Sequence, residues 1–110
     1  MIIDVSNSHN LQGKKYDYIK IAFILQHIQG STSANQINYY FNRIFPNYYC
    51  NSHRIAQVIK QYPNYFTISK DETDKARQAR VYSFKGSVKL SKSTKINWRN
   101  KSKEYFTNPL

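Results

Sequence analysis

The chain has 110 residues, enough for one domain with its own core, so neither a disulfide nor a metal is required to hold it. Apolar residues make up 40% and there are only three glycines and three prolines, which argues against a disordered or low-complexity protein. Seventeen lysines and arginines against six acids give a formal charge of +11; such a field attracts polyanions, and nucleic acid and anionic membrane are the candidates.

The excess is spread along the chain: residues 85–110 contribute +6 and residues 1–84 contribute +5. The longest apolar runs, such as Ile19 to Leu25, are too short to span a bilayer. Met1-Ile2-Ile3-Asp4 lacks the basic and apolar regions of a secretory signal. A lone cysteine, Cys50, cannot form an internal disulfide, which fits a reducing cytoplasm.

Residues 1–15 are expected to be an N-terminal arm, in which Ile2, Ile3 and Val5 either form a short strand or fray. A first helix is predicted from Tyr16 to Gln29. Asp17 lies in its first turn, Ile19, Ala22, Phe23, Leu25, Gln26 and Ile28 form an apolar stripe, and Gly30 stands as the residue after its end. Ser33 with Gln36 three places on is a capping-box pattern. It opens a second helix, Ala34 to Phe45, with Ile37, Tyr40, Phe41 and Ile44 on one face, stopped by Pro46-Asn47. A third helix runs from Asn51 to Tyr62. Its Ile55, Val58, Ile59 and Tyr62 fall at i, i+3, i+4 and i+7, so His53, Gln57 and Lys60 point away from the buried side, with Arg54 and Gln61 on the flank.

Tyr65 to Ser69 alternates and reads as a strand, Lys70 to Gln78 as a charged loop, and Ala79 to Phe84 as the returning strand. Beyond Gly86, Ser87 to Lys95 is either a further strand or an extended tail. Asn97 to Phe106 sets Trp98, Ser102, Tyr105 and Phe106 at helical spacing, a possible fourth helix whose aromatics pack on the domain or dimerise.

Ser33-Ala34-Asn35-Gln36-Ile37, Ser52-His53-Arg54-Ile55-Ala56-Gln57-Val58-Ile59 and Arg80-Val81-Tyr82-Ser83-Phe84 together resemble the winged helix-turn-helix superfamily of DNA-binding domains. The resemblance covers about residues 16–86 and implies an α+β, mainly α fold: three helices, then a two-stranded β-hairpin wing. Residues 87–110 would be a basic C-terminal extension. The resemblance further implies that helix three enters the major groove and that the wing touches the adjacent minor groove or backbone. The link from Pro46 to Cys50 is longer and more aromatic than the turn of the simplest members.

Side-chain chemistry assigns matching roles. Ser52, His53, Arg54 and Gln57 carry groups suited to base edges. Arg43, Lys60, Gln61, Lys70, Lys75, Arg77, Arg80, Lys85, Lys89, Lys92, Lys95 and Arg99 suit phosphate. Asp71, Glu72 and Asp74 partly cancel Lys70 and Lys75, which favours Arg77 and Arg80 within the wing. Tyr39-Tyr40 and Tyr48-Tyr49 are more readily core residues with wet hydroxyls than platforms for unpaired bases. Cys50 and His53 supply two ligands where a closed zinc site needs four. There is no Gly-rich phosphate loop, nucleophile elbow or recognisable carboxylate pair, so no enzyme, metal, cofactor or small-molecule substrate is expected.

The expected function is duplex DNA binding by a cytoplasmic homodimer, as a transcription regulator or a chromosome- or plasmid-organising, nucleoid-associated protein. The first residues, helix one and the C-terminal aromatics are the candidate dimer interface. The alternative is an RNA- or protein-binding winged-helix subunit of a larger complex.

Overall fold

A computed structural model of the chain describes residues 1–8, 10–70 and 79–106. It is an α+β fold. Strand β1 (Ile2–Val5) leads through a 3-10 turn at Lys14–Tyr16 to helix α1 (Asp17–Ile28). Helices α2 (Ala34–Ile44) and α3 (Ser52–Gln61) follow, then strands β2 (Phe66–Lys70), β3 (Arg80–Phe84) and β4 (Ser87–Leu90), and helix α4 (Lys92–Ser102). β2 and β3 pair antiparallel, with Phe66 opposite Phe84 and Lys70 opposite Arg80. β1 and β4 pair parallel, with Ile3 beside Val88. A single bridge joins Thr32, between α1 and α2, to Tyr82 of β3, sealed by two backbone hydrogen bonds of 2.8 and 3.0 Å.

The helix starts follow from local chemistry. Ser33 Oγ accepts the amide of Gln36, and Asn51 Oδ1 accepts that of Arg54 at 2.8 Å. Ser91 caps α4 and also donates its hydroxyl to Thr94. The ten residues of α3 would not stay helical alone in water. Ile55, Val58 and Ile59 are buried and hold it to the body. Each such burial is worth roughly 1.5–3 kcal/mol.

α1 departs from the expected one-sided stripe. Every side chain from Ile19 to Leu25 is buried, because α2 and α3, β3 and β4 all pack around it. The wall on its other side is built by β4 and by Trp98 of α4. The turn after α1 also differs. Gln29, not Gly30, takes the left-handed conformation at φ 58°, and its N–H closes on Leu25 O.

β1 therefore belongs to one body with β4 and α4. Ser87 N donates to Met1 O at 3.1 Å, across the start of the parallel pair. Gly86 makes that approach possible, since a Cβ there would lie 2.6 Å from Met1 O. Leu90 and Trp98 join the core, Trp98 meeting Phe23 and Phe45 edge-on. α4 begins at Lys92, five residues before the expected Asn97. Phe106 stacks on His27, 4.6 Å between ring centres, and leans on Tyr40. α1 is thus largely enclosed by its own chain, and Tyr105 and Phe106 are half-buried beside Tyr40. The phosphate candidates Lys75 and Arg77 lie outside the described residues.

Candidate nucleic-acid interface

α3 divides cleanly. Ile55 and Ile59 are fully buried, whereas His53, Gln57, Lys60 and Gln61 are exposed. His53 and Gln57, one turn apart, hydrogen-bond side chain to side chain at 3.2 Å. Ser52 is half-buried at the first helical position. Of the four base-edge candidates, His53 and Gln57 therefore stand outermost and Arg54 is half-withdrawn.

Arg54 is withdrawn because it is paired. Its Nη2 lies 3.6 Å from Asp17 Oδ2, at the first residue of α1. Asp17 is itself buried, and Lys20 Nζ stands 3.9 Å from its other oxygen. Lys20 is almost wholly enclosed; its ammonium donates to Leu11 O at 2.8 Å and sits over the Tyr48 ring. Burial raises the Asp17 carboxyl above its ordinary range, outweighing Lys20 and Arg54. Burial likewise lowers Lys20. From sequence Asp17 is only a helix-end charge, and nothing local marks Lys20 for the interior.

The long link between α2 and α3 is rigidly seated. Asn42 Nδ2 donates to Cys50 O and Asn42 Oδ1 accepts from Cys50 N, both at 2.8 Å. One α2 side chain thus satisfies both backbone groups of the residue before the α3 cap. Cys50 is buried, which raises its thiol. A cleft of about 420 Å³, lined in part by Lys14, Asp17, Tyr49, Asn51 and Arg54, opens at the start of α3. Tyr49 is 80% exposed on its rim. Lys14 and Asn51 are not among the expected site residues; Asn51 is the α3 cap, whereas the place of Lys14 beside α3 depends on tertiary folding.

The phosphate candidates do not form one surface. Lys60 and Gln61 belong to α3, while Lys70 and Arg80 face each other across the hairpin. Arg43 is exposed on α2 but is held to its own helix: the guanidinium stacks 3.5 Å above the Tyr39 ring and donates to Tyr39 O. Lys85 sits exposed between β3 and β4. Lys89, Lys92 and Lys95 are exposed and Arg99 half-buried on β4 and α4, elements that do not pack against α3.

Comparison with protein-family models, curated proteins and solved structures finds no match. Among the described residues, no helix is long and apolar enough to cross a membrane.

Proposed function

We propose that this chain binds duplex DNA without catalysis, laying α3 in the major groove with the β2–β3 hairpin against the neighbouring backbone. The observation that carries this reading is the partition of α3. Its aliphatic ridge is sealed against the core, and its outward row of His53, Gln57 and Lys60 consists of hydrogen-bonding and cationic groups. The Thr32–Tyr82 bridge anchors β3 to the turn before α2, which sets the hairpin in a fixed relation to the helices. That arrangement supports a winged-helix reading. A sequence-selective regulator uses the α3 row; a sequence-tolerant organiser of chromosomal or plasmid DNA relies on the phosphate candidates of α3 and the hairpin, Lys60, Gln61, Lys70 and Arg80.

The test is duplex affinity over a range of salt. The parent is expected to bind with an affinity that falls steeply as salt rises, by counterion release. Arg54→Ala and Gln57→Ala should each weaken a preferred duplex by ~1–3 kcal/mol, about 5- to 150-fold. Affinity indifferent to salt and to both substitutions would remove the proposal.

One observation favours a second reading, RNA binding within a larger complex. Tyr49, 80% exposed, offers an aromatic face near the start of α3. Bases unpaired from a duplex stack on such rings. Tyr49→Ala weakening single-stranded RNA more than duplex DNA, with Gln57→Ala neutral, would put this reading first.

A further inference from the structure

α4 carries a cationic stripe that the α3 surface does not use. Lys92, Lys95 and Arg99, with Lys103 at the cap just past Ser102, recur at intervals of three, four and four, which places them within an arc of roughly 80° about the helix axis. Thr94, Trp98 and Ser102 occupy the adjacent row and are buried, so the stripe borders the body rather than hanging free of it. There is no acid in α4. Lys92 and Lys95 also stand in its first turn, the positive end of the helix dipole, where cations are unfavourable. An external anion relieves that conflict.

The stripe borders a groove of about 440 Å³ whose lining includes Lys89, Lys95, Arg99 and Ser87. Arg99 Nε is buried there and finds no hydrogen-bond partner among the described residues. Asp4, opposite Lys89 in the parallel pair, offsets that lysine only. The surface therefore rests on Lys92, Lys95, Arg99 and Lys103.

The two cationic surfaces look in different directions. On α1, Tyr18 stacks on Tyr62 at the end of α3, and Phe23 meets Trp98 of α4. Five residues along a helix turn through about 140°, so α3 and α4 flank α1 on nearly opposite sides. The two shorter dimensions of the body are 28 and 24 Å. Either exceeds two Debye lengths at physiological salt, about 8 Å each, so a polyanion on one face is screened from one on the other.

We infer that the α4 stripe is a second duplex-binding surface, reading phosphate and not bases, and that one copy of the chain joins two stretches of duplex DNA. This rests on the reading of α3 as the first surface.

The experiment loads the full-length chain onto an immobilised duplex and then offers a second, fluorescent duplex. The variant Lys92→Glu/Lys95→Glu places acids in the first turn of α4, the favourable end, so the helix is retained. Lys15→Glu/Lys101→Glu is its control; each variant carries a formal charge of +7, four below +11. The parent and the control should capture the second duplex. The α4 variant should hold the first duplex within about threefold of the parent and capture less than about a tenth of the second, the loss expected for removed phosphate contacts. Equal capture by the α4 variant overturns the inference, since a dimer presenting two α3 surfaces would do the same. Equal loss in the control overturns it in favour of bulk charge, and a stripe that floats with anionic vesicles but captures no duplex overturns it in favour of lipid. A parent that holds the first duplex and no second refutes bridging alone; a parent that holds neither refutes the α3 reading as well.

Discussion

Arg54 Nη2 stands 3.6 Å from Asp17 Oδ2, so a buried carboxylate at the start of α1 holds the one arginine of α3. The pair shares Asp17 with Lys20, which is only 1% exposed. Taking these charges out of water is costly, and their attraction does not repay it in full: burial outweighs both cations at Asp17. What the cluster provides is position. It fixes where the α3 guanidinium begins and leaves its outer side, about a third exposed, open to a ligand.

Removing Asp17 should be far worse than replacing the whole buried pair. Asp17→Ala takes away the oxygens that Lys20 and Arg54 face and is expected to cost ~1–3 kcal/mol in denaturant unfolding. The double variant Asp17→Leu/Lys20→Met removes both charges and should recover more than half of that loss. A double variant no more stable than the single one would show that the ion pair itself holds the fold.

Acid should favour Asp17. Its carboxyl is raised above the ordinary 3.8 by burial, so the folded chain binds that proton more tightly than the unfolded chain does. Its contribution to stability is therefore complete below the ordinary value and lost as pH rises through the raised one. The unfolding free energy of the parent minus that of Asp17→Asn should increase as pH falls from about 7 to about 4, and level off below that. A difference that is flat across this range, or that shrinks on acidification, contradicts the burial account.

Much of α2, α3 and the hairpin was legible because their signals are local. Ser33 and Asn51 cap the helices they precede, and Ile37, Phe41, Ile44, Ile55, Val58 and Ile59 are all buried as their spacing requires. What stayed hidden depends on distant partners. Ile3 pairs with Val88, and no residue near either announces the other. Without that wall α1 looked one-sided, although Ile21 and Ile24 between the stripe positions were an available sign of all-round burial. The α4 start is hidden because its cap, Ser91, lies in the stretch Ser87 to Lys95, which by itself reads as a further strand or an extended tail. For the site, the α3 row was readable from helical period, but Asp17, Lys20 and Asn42 are known only from what they touch.

Asn42 should matter more than a half-buried asparagine usually does. Asn42→Leu leaves Cys50 N and O without partners in a buried turn, at ~1–3 kcal/mol for each group. Urea unfolding should show that loss, and duplex affinity should fall as well, because the start of α3 is no longer fixed. A change under about 0.5 kcal/mol, typical of a surface position, would mean the turn is held by other contacts.

Trp98 tests whether the C-terminal part belongs to the body. It is 5% exposed and meets Phe23 and Phe45 edge-on. Trp98→Ala should cost ~3–5 kcal/mol in a single cooperative transition. A loss below about 1 kcal/mol would fit an α4 that detaches readily from the rest.

The central claim is that the exposed row of α3 lies against duplex DNA, and amide chemical-shift mapping during a duplex titration measures it most directly. The account expects the largest changes at His53, Arg54, Gln57 and Lys60, with Lys70 and Arg80 of the hairpin following. Saturable binding that leaves those amides unmoved while others shift, or no binding at low salt, would contradict it.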